Sequence, residues 1–252
     1  MSNPVRRLSF LLAALLLAVA VVQVARHMPA FGAHPLPYGD AVNRIAPPER
    51  HVSNMVSAVN FDLRGFDTLG EEFMLVCAVA GAVFLLRGHR GEELSAEPGE
   101  LPDRPAERPS DAVVLMARLV GPALMVFGLY MVLHATVTPG GGFQGGVIIA
   151  SGTLLLWLAE GYRGWRSIMR SKWLDAVEGG GALVFALCGL APLAAGGRFM
   201  ANMLPFGKFR DMLSGGLMQV ENAGVALAVA GGFCLLFLEF LEETRAPKEG
   251  GE

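Results

Sequence analysis

The chain alternates between long apolar blocks and short polar stretches. Each of six apolar blocks is about 16 to 22 residues long, close to the ~20 residues that a helix needs to cross a hydrocarbon layer of ~30 Å. Apolar and polar residues do not alternate with a period of two inside the blocks, which excludes a membrane β-barrel and leaves helices. The pattern predicts an all-α integral membrane protein with six transmembrane helices: Leu8–Ala25, Thr68–Leu86, Ala112–Leu133, Phe143–Ala159, Gly179–Ala195 and Ala223–Phe240.

The composition agrees with a membrane protein and excludes two other classes. Hydrophobic residues make up 53% of the 252 positions and charged residues only 17%, which is too apolar for an average water-soluble domain. The net charge of −3 leaves no basic excess to neutralise a nucleic-acid backbone. Cys77, Cys188 and Cys234 lie inside apolar blocks without Cys-x-x-Cys spacing, so neither a zinc site nor a disulfide framework is encoded. We expect no metal site and no cofactor.

The distribution of lysine and arginine predicts the orientation of the helices. If the N-terminus is cytoplasmic, the cytoplasmic connections carry most of the 20 lysine and arginine residues, including the short stretch Tyr162–Trp173. The positive-inside rule then places both termini in the cytoplasm. Arg6 and Arg7 before the first block also fit a cleaved signal peptide. Because Ala25–Pro29 is a poor cleavage site, we expect an uncleaved anchor.

The connection between the second and third blocks divides the chain. Arg87–Asp111 is rich in Glu, Arg, Pro and Gly and has almost no apolar residues, which is typical of a solvated linker. We predict a two-span unit over residues 1–88, a cytoplasmic linker over 89–111 and a four-span unit over 112–252.

An acidic motif, Asn60–Glu72, leads directly into the second predicted helix. Ionisable groups at membrane depth are costly and usually face a bundle interior or a water-filled cavity, so Asp67, Glu71 and Glu72 are candidates for an ion path. Glu71 is favoured, because it combines membrane depth with a capping position. The alternative is structural, because Thr68–Glu71 has the pattern of a capping box and carboxylates in a first helical turn are favoured by the helix dipole.

A glycine-rich turn joins the third and fourth predicted helices. Glycine removes side chains where the backbone turns sharply or where another helix approaches closely. A phosphate-binding loop is excluded, because the turn lacks a Gly-Lys-Ser/Thr ending and follows a helix rather than a strand. The sequence predicts a tight helical hairpin that serves packing more than binding. Its residues are Thr138, Pro139, Gly140, Gly141, Gly142, Phe143, Gln144, Gly145 and Gly146.

Arg118 is an arginine inside the third predicted helix. Counted outward from the glycine turn, Arg118 and Glu160 fall at similar depth on neighbouring antiparallel helices. We therefore predict an ion pair between them. The alternative is that Arg118 snorkels to the inner headgroups while Glu160 lies at the interface.

Four further ionisable residues border the predicted helices. His134 lies beside the glycine turn and is either a group that titrates near neutral pH or a hydrogen-bonded structural residue. Glu178 and Glu221 are secondary candidates for the ion path because both border glycine-rich helix, although capping at a helix start also accounts for them. Asp62 can pair locally with Arg64.

The two motifs resemble parts of one family of membrane complexes. Thr138–Gly146, with the four helices around it, resembles the B subunit (MnhB) of the multisubunit Na⁺/H⁺ antiporters called Mrp or Mnh, over roughly residues 111–243. Asp62–Glu71 resembles the C-terminal tail of the large A subunit of these complexes, or the equivalent small subunit of membrane-bound hydrogenases. The chain departs from the usual pattern by joining both pieces through a linker, so the parent complex is either an antiporter or a redox-driven relative.

The resemblance implies a subunit that is not an enzyme and contributes to assembly and to an ion path for Na⁺ and H⁺. Its partners would be large A- and D-like antiporter subunits and small C-, E-, F- and G-like subunits in the cell (inner) membrane of a bacterium or archaeon. One alternative places the chain in the antiporter-like module of a hydrogenase or a relative of respiratory complex I. Another is a small independent transporter that acts as an oligomer.

Overall fold

The computed structural model describes residues 3–29, 32, 36–90 and 109–243. Over these residues the regular structure is helical, without β-strands. Six helices are long and apolar enough to cross a membrane, and each coincides with a predicted apolar block. The prediction of an all-α, multi-pass membrane protein with six transmembrane helices is confirmed.

The chain forms two compact units, residues 1–41 and 42–252. In the first unit, α1 (Asn3–His27) carries Arg26 and His27 in its last turn. Its described side chains are exposed along the whole helix, so its apolar surface is free to meet lipid or another chain. Helix α2 (Pro37–Ile45) follows and runs on into the second unit.

The second unit begins with short elements and continues with five long helices. A π-helical turn, π1 (Ala46–Arg50), is followed by α3 (Met55–Ala58) and a second π-helical turn, π2 (Val59–Leu63). The long helices all reach one or more residues past their apolar blocks at one end or both, because polar residues continue the helix beyond the hydrocarbon thickness. They are α4 (Gly65–Arg90), α5 (Asp111–Leu133), α6 (Gly142–Ile168), α7 (Ser171–Ala194) and α8 (Leu217–Glu243).

Helix α8 is the central helix of the second unit. It packs against α4, α5, α6 and α7, and it is the most buried of the long helices. Glycines allow the close approach of its neighbours: a methyl group on Gly146 of α6 would lie 2.8 Å from Val229 Cβ, and one on Gly224 of α8 would lie 3.0 Å from Gly181 O. Such packing is typical of membrane helices, which associate through small residues.

The short elements gather at the end of the second unit where α5 ends and α6 begins, which we call the hairpin end. Asn54 holds them there, because its Nδ2 donates to the carbonyl oxygens of Ala135 at 2.7 Å, Thr138 at 3.0 Å and Gly140 at 3.2 Å. The backbone N–H of Asn54 donates to Thr136 O at 3.1 Å. The segment before α4 is therefore fixed to the hairpin.

Two local predictions are wrong. Helix α4 begins at Gly65, so Thr68 lies inside the helix and Thr68–Glu71 does not cap its start. Asp62 pairs with Arg50 rather than with Arg64, whose guanidinium pairs with Asp67.

Most of the predicted linker, residues 91–108, lies outside the described residues, as do residues 244–252 at the C-terminus. The division at residues 1–88, 89–111 and 112–252 stays a prediction. Helix α4, from the predicted two-span part, belongs to the same compact unit as α5–α8.

Candidate functional site

Three glutamates are buried on the facing surfaces of α4, α7 and α8. Glu72 is 1% exposed, Glu178 7% and Glu221 2%. Glu72 and Glu178 each lie about two turns inside their helices and Glu221 about one turn inside, so none of them caps a helix start. Burial of a charged group is costly unless it is paired and hydrogen-bonded.

These glutamates lack the partners that burial normally demands. Within the described part of the chain, neither carboxylate oxygen of Glu72 has a hydrogen-bond partner, and the same holds for Glu178 Oε1 and Glu221 Oε2. A group that can take up a proton or a monovalent cation is therefore present at each position.

Glycines on α8 make room for Glu178. A methyl group on Gly231 would lie 2.7 Å from the backbone nitrogen of Glu178, and one on Gly232 would lie 3.1 Å from Glu178 Oε1. A methyl group on Gly232 would also lie 3.1 Å from Val79 Cγ2 of α4. Glu178 thus lies at the seam where α4, α7 and α8 meet.

Ion pairs lie at the end of the unit opposite the hairpin. Arg87 Nη2 is 2.7 Å from Glu239 Oε1, and Arg87 Nη1 is 3.9 Å from Asp175 Oδ2. Arg166 Nε is 3.0 Å from Glu242 Oε1. Glu239 and Glu242 are not among the site residues predicted from the sequence, although two acidic residues near the end of an apolar block indicate such a site.

The buried carboxylates stand at successive depths. Along α8, Glu221 precedes Gly231 by about ten residues or ~15 Å, and Glu239 follows Gly232 by about seven residues or ~10 Å. On α4, Glu72 precedes Val79 by two turns, or ~10 Å, towards the hairpin end. The order from the hairpin end is Glu221, Glu72, Glu178 and Glu239, and we call this set the carboxylate ladder.

The other residues of the acidic motif lie elsewhere. Asp67 and Glu71 are exposed on α4, and Asp67 pairs with Arg64. The structure therefore buries Glu72, whereas the sequence favoured its neighbour Glu71. His134 ends α5 with its ring stacked on Tyr130 at a centroid distance of 4.0 Å, and its Nδ1 lies 3.0 Å from Tyr130 O.

The glycine turn packs against α8. The backbone N–H of Gly142 donates to Asn222 Oδ1 at 2.9 Å, and Asn222 Nδ2 donates to Met218 O at 2.8 Å. A methyl group on Gly145 would lie 2.7 Å from Gly128 O of α5. Gly141 has φ of 152°, which glycine adopts readily. These contacts describe a close-packed helical hairpin in which Asn222 of α8 uses both its amide oxygen and its amide nitrogen.

Arg118 and Glu160 meet on the surface of the α5–α6 pair. Arg118 Nε donates to Glu160 Oε1 at 2.8 Å. Their side chains are 56% and 42% exposed within this chain. The antiparallel arrangement of α5 and α6 brings the two residues together, as counting from the glycine turn predicted.

Within the ranges that the structure describes, no group of three or more His, Cys, Asp or Glu side chains is arranged to hold a metal ion. The buried acidic groups are therefore spread along the bundle rather than gathered at one point.

Comparison with known proteins gives a family and several relatives. Residues 112–235 match the model of a domain related to the MnhB subunit of Na⁺/H⁺ antiporters. The B subunit of a Na⁺/H⁺ antiporter of Bacillus subtilis is 30% identical over 130 residues, which are 50% of this chain and 89% of the relative. An uncharacterized protein of Methanocaldococcus jannaschii is 32% identical over 197 residues, 72% of this chain and 74% of the relative.

Two solved structures share the fold. A chain of the membrane-bound sulfane sulfur reductase, an archaeal respiratory membrane complex, superposes with a TM-score of 0.73 at 26% identity, covering 94% of this chain and 98% of that one. A chain of the Mrp complex from Dietzia sp. DQ12-45-1b superposes with a TM-score of 0.70 at 22% identity, covering 100% of this chain and 27% of that one. The fold of this chain thus recurs both as a whole chain and as part of a larger one.

Proposed function

This chain belongs to the family of membrane proteins related to the MnhB subunit of Na⁺/H⁺ antiporters, and from that premise we propose that it is a non-catalytic subunit of a multisubunit monovalent cation/proton antiporter complex. In this proposal the chain has two tasks, assembly of the complex and a contribution to the ion path.

The carboxylate ladder is the observation that carries the second task. Three of its members, Glu221, Glu72 and Glu178, have carboxylate oxygens without a hydrogen-bond partner among the described residues, and Glu239 is paired with Arg87. Within membranes, buried ionisable groups mark ion pathways and proton relays. The rungs at Glu221, Glu72, Glu178 and Glu239 extend over about 18 residues of α8, or ~27 Å, which is most of a ~30 Å hydrocarbon layer. Transfer of an ion from one of these carboxylates to the next requires intervening water or a neighbouring subunit.

Of the candidates named from the sequence, the ladder contains Glu72, Glu178 and Glu221. Asp67 and Glu71 are exposed on α4, near the hairpin end, and in this proposal they face a partner subunit. His134, stacked on Tyr130 and bonded to its backbone, fits a structural role.

The glycine hairpin serves the first task. Its residues hold α5, α6 and α8 at backbone contact distance, so the hairpin sets the shape that a partner subunit would meet. The exposed apolar side chains of α4 and α5, such as Phe84 and Val126, are available to lipid and to such partners. We propose large A- and D-like and small C-, E-, F- and G-like subunits as the partners and Na⁺ and H⁺ as the ions.

We further propose that both termini are cytoplasmic and that the hairpin end faces the outside of a bacterial or archaeal cell (inner) membrane. The excess of lysine and arginine in the alternate connections supports this orientation.

A second candidate function has its own support. The matching chain of the sulfane sulfur reductase complex is covered over 98% of its length, so a whole subunit of a respiratory complex has this architecture. In that case the chain belongs to the antiporter-like module of a redox-driven pump, and electron transfer takes place in other subunits.

Isolation of the complex tests the proposal and separates the two candidates. The tagged chain is purified from its native membrane in mild detergent, and the associated proteins are identified by mass spectrometry. Antiporter subunits alone support the first candidate, and additional redox subunits support the second. A chain that purifies alone and transports ions as a homo-oligomer in liposomes would contradict both.

A further inference from the structure

An ion pair, Arg50–Asp62, lies next to the outermost rung of the carboxylate ladder. Arg50 Nε donates to Asp62 Oδ2 at 2.5 Å, and the Asp62 side chain is only 10% exposed. The turn that carries Asp62, π2, packs against α8, the helix on which Glu221 lies. Glu221 is itself 2% exposed, with an oxygen that has no hydrogen-bond partner among the described residues. Asp62 is therefore the next carboxylate beyond Glu221 towards the hairpin end, and it is paired with the guanidinium of Arg50.

Arg50 has a second acceptor within reach. Its Nη1 lies 3.3 Å from Glu49 Oε2, and the Glu49 side chain is 59% exposed. Its guanidinium carbon also lies 5.3 Å from the centroid of the Phe206 ring, at a distance typical of cation–π contacts. If Arg50 leaves Asp62, the contacts with Glu49 and Phe206 keep its charge paired, which lowers the cost of the movement.

The backbone around the pair has unusual local geometry. Arg50 is the last residue of π1, and Asp62 lies in π2. Helical turns of the π type are rare in proteins, and those that occur are often at functional sites. His51, directly after Arg50, has φ of 55°, a left-handed conformation that is unfavourable for residues other than glycine. Asn54, between the two turns, is fixed to the hairpin by its hydrogen bonds. The backbone after Arg50 is therefore held at His51, whose ring nitrogen contacts Gly207 O, and at Asn54. The part of Arg50 that is free to change position is its side chain.

We propose that Arg50 is a tethered cation that closes the hairpin end of the ion path. It occupies Asp62, and a monovalent cation enters from this end when the guanidinium moves from Asp62 to Glu49. Asp62 is then the outermost ion-binding carboxylate, and Arg50 is a positioning residue that acts through it. This inference rests on the proposed function, because closure matters only if the ladder carries ions.

The native Cys188 reports whether this end is open. Cys188 on α7 is buried, and α7 packs against α8, the helix that carries Glu221. In the intact complex in right-side-out and inverted vesicles, a membrane-impermeant methanethiosulfonate reagent is added, and the modified Cys188 peptide is quantified by mass spectrometry. We expect slow modification of the native chain.

Removal of the pair is expected to speed the modification. Arg50→Gln and Asp62→Asn each raise the rate about tenfold from the side that the hairpin end faces, as for loss of one charge-assisted hydrogen bond from the closed state. The exchanged pair, Arg50→Asp with Asp62→Arg, restores a slow rate. Arg50→Lys, which keeps the charge but loses the fork of donors, gives an intermediate rate and serves if Arg50→Gln does not assemble.

Arg64→Gln is the matched control, because it breaks the exposed Arg64–Asp67 ion pair near the same end and is expected to leave the rate unchanged. Native rates for both Arg50→Gln and Asp62→Asn in assembled complexes would overturn the inference. Faster modification without any change in the ion dependence of transport would overturn the link between Arg50 and ion entry. Native transport by a Glu72→Gln complex would instead contradict the proposed function, whatever the rate at Cys188.

Discussion

Two regions of this protein bury polar groups in different ways. At the hairpin end and along the α6–α8 contact, Asn54 and Asn222 are buried, and both their amide oxygens and amide nitrogens have hydrogen-bond partners. Where α4, α7 and α8 meet, Glu72, Glu178 and Glu221 are equally buried, but carboxylate oxygens of all three lack partners within the described residues.

The difference separates structure from function. A satisfied buried amide fixes one arrangement of the chain and stabilises it by about 1 kcal/mol per hydrogen bond. An unsatisfied buried carboxylate opposes folding, so its presence calls for a task that only an ionisable group performs. Under the proposed function, the hairpin region holds the protein together and the α4–α7–α8 region contributes to the ion path.

The largest effect is expected from a change in the hairpin region. Gly146→Leu puts a side chain where a methyl group would already lie 2.8 Å from Val229 Cβ and 2.9 Å from Ala226 O. Because backbone cannot yield as a flexible side chain does, overpacking costs at least about 1–3 kcal/mol, and we expect loss of the assembled complex. The yield of complex after size-exclusion chromatography measures this.

Gly179→Leu is the control, because nothing lies within 4 Å of the added atom. It is expected to assemble normally. A normal yield of complex with Gly146→Leu would contradict the claim that the close packing of the hairpin is needed for assembly.

The next largest effect is expected from replacing Glu178. The change should not lower the stability of the complex, but it should lower the transport rate. Glu178→Gln removes a buried charge that lacks partners, so the thermal midpoint of the purified complex stays equal or rises, while transport in liposomes falls at least about tenfold. Asn222→Ala is the matched change in the hairpin region. It leaves the Gly142 N–H unpaired and costs about 1–3 kcal/mol of stability, while the assembled fraction keeps its transport rate. If Glu178→Gln destabilised the complex and spared transport, the contrast between the regions would be wrong.

The smallest effect is expected from the ion pair between α5 and α6. Both side chains are about half exposed, and exposed ion pairs contribute ~0–1 kcal/mol, so Glu160→Gln lowers the free energy of unfolding by no more than about 1 kcal/mol. Denaturant titration of the purified complex measures this. A much larger loss would mean that Arg118 and Glu160 are buried against another protein in the complex.

The six helices could be predicted from the sequence, because hydrocarbon thickness sets a length that apolar blocks must match. Their ends could not, because Gly65–Asp67 and Ser171–Glu178 continue helices through polar residues that an apolar block does not include. This affected the interpretation of the acidic residues. From the sequence, Thr68–Glu71 had the pattern of a helix cap and Glu178 appeared at the start of a helix, whereas both lie inside helices.

Contacts within one hairpin were predictable, whereas contacts between distant helices were not. Counting from the glycine turn was enough to bring Arg118 to Glu160 across 42 positions. The pairing of Arg87 with Glu239 joins residues 152 positions apart, and no turn relates them. The choice between Glu71 and Glu72 depends on which side of α4 faces α7 and α8, and a helix that is apolar on all sides does not reveal that side.

The central claim is tested most directly by comparing Glu72→Gln with Glu71→Gln in the intact complex reconstituted in liposomes. The two residues are adjacent in sequence, but Glu72 is buried without a hydrogen-bond partner among the described residues and Glu71 is exposed. The initial rate of cation-driven proton movement is followed with a pH-sensitive dye. We predict a loss of at least about tenfold for Glu72→Gln and a change of less than about twofold for Glu71→Gln, since only the buried carboxylate belongs to the path. Equal rates for the two variants, or a loss confined to Glu71→Gln, would contradict the account.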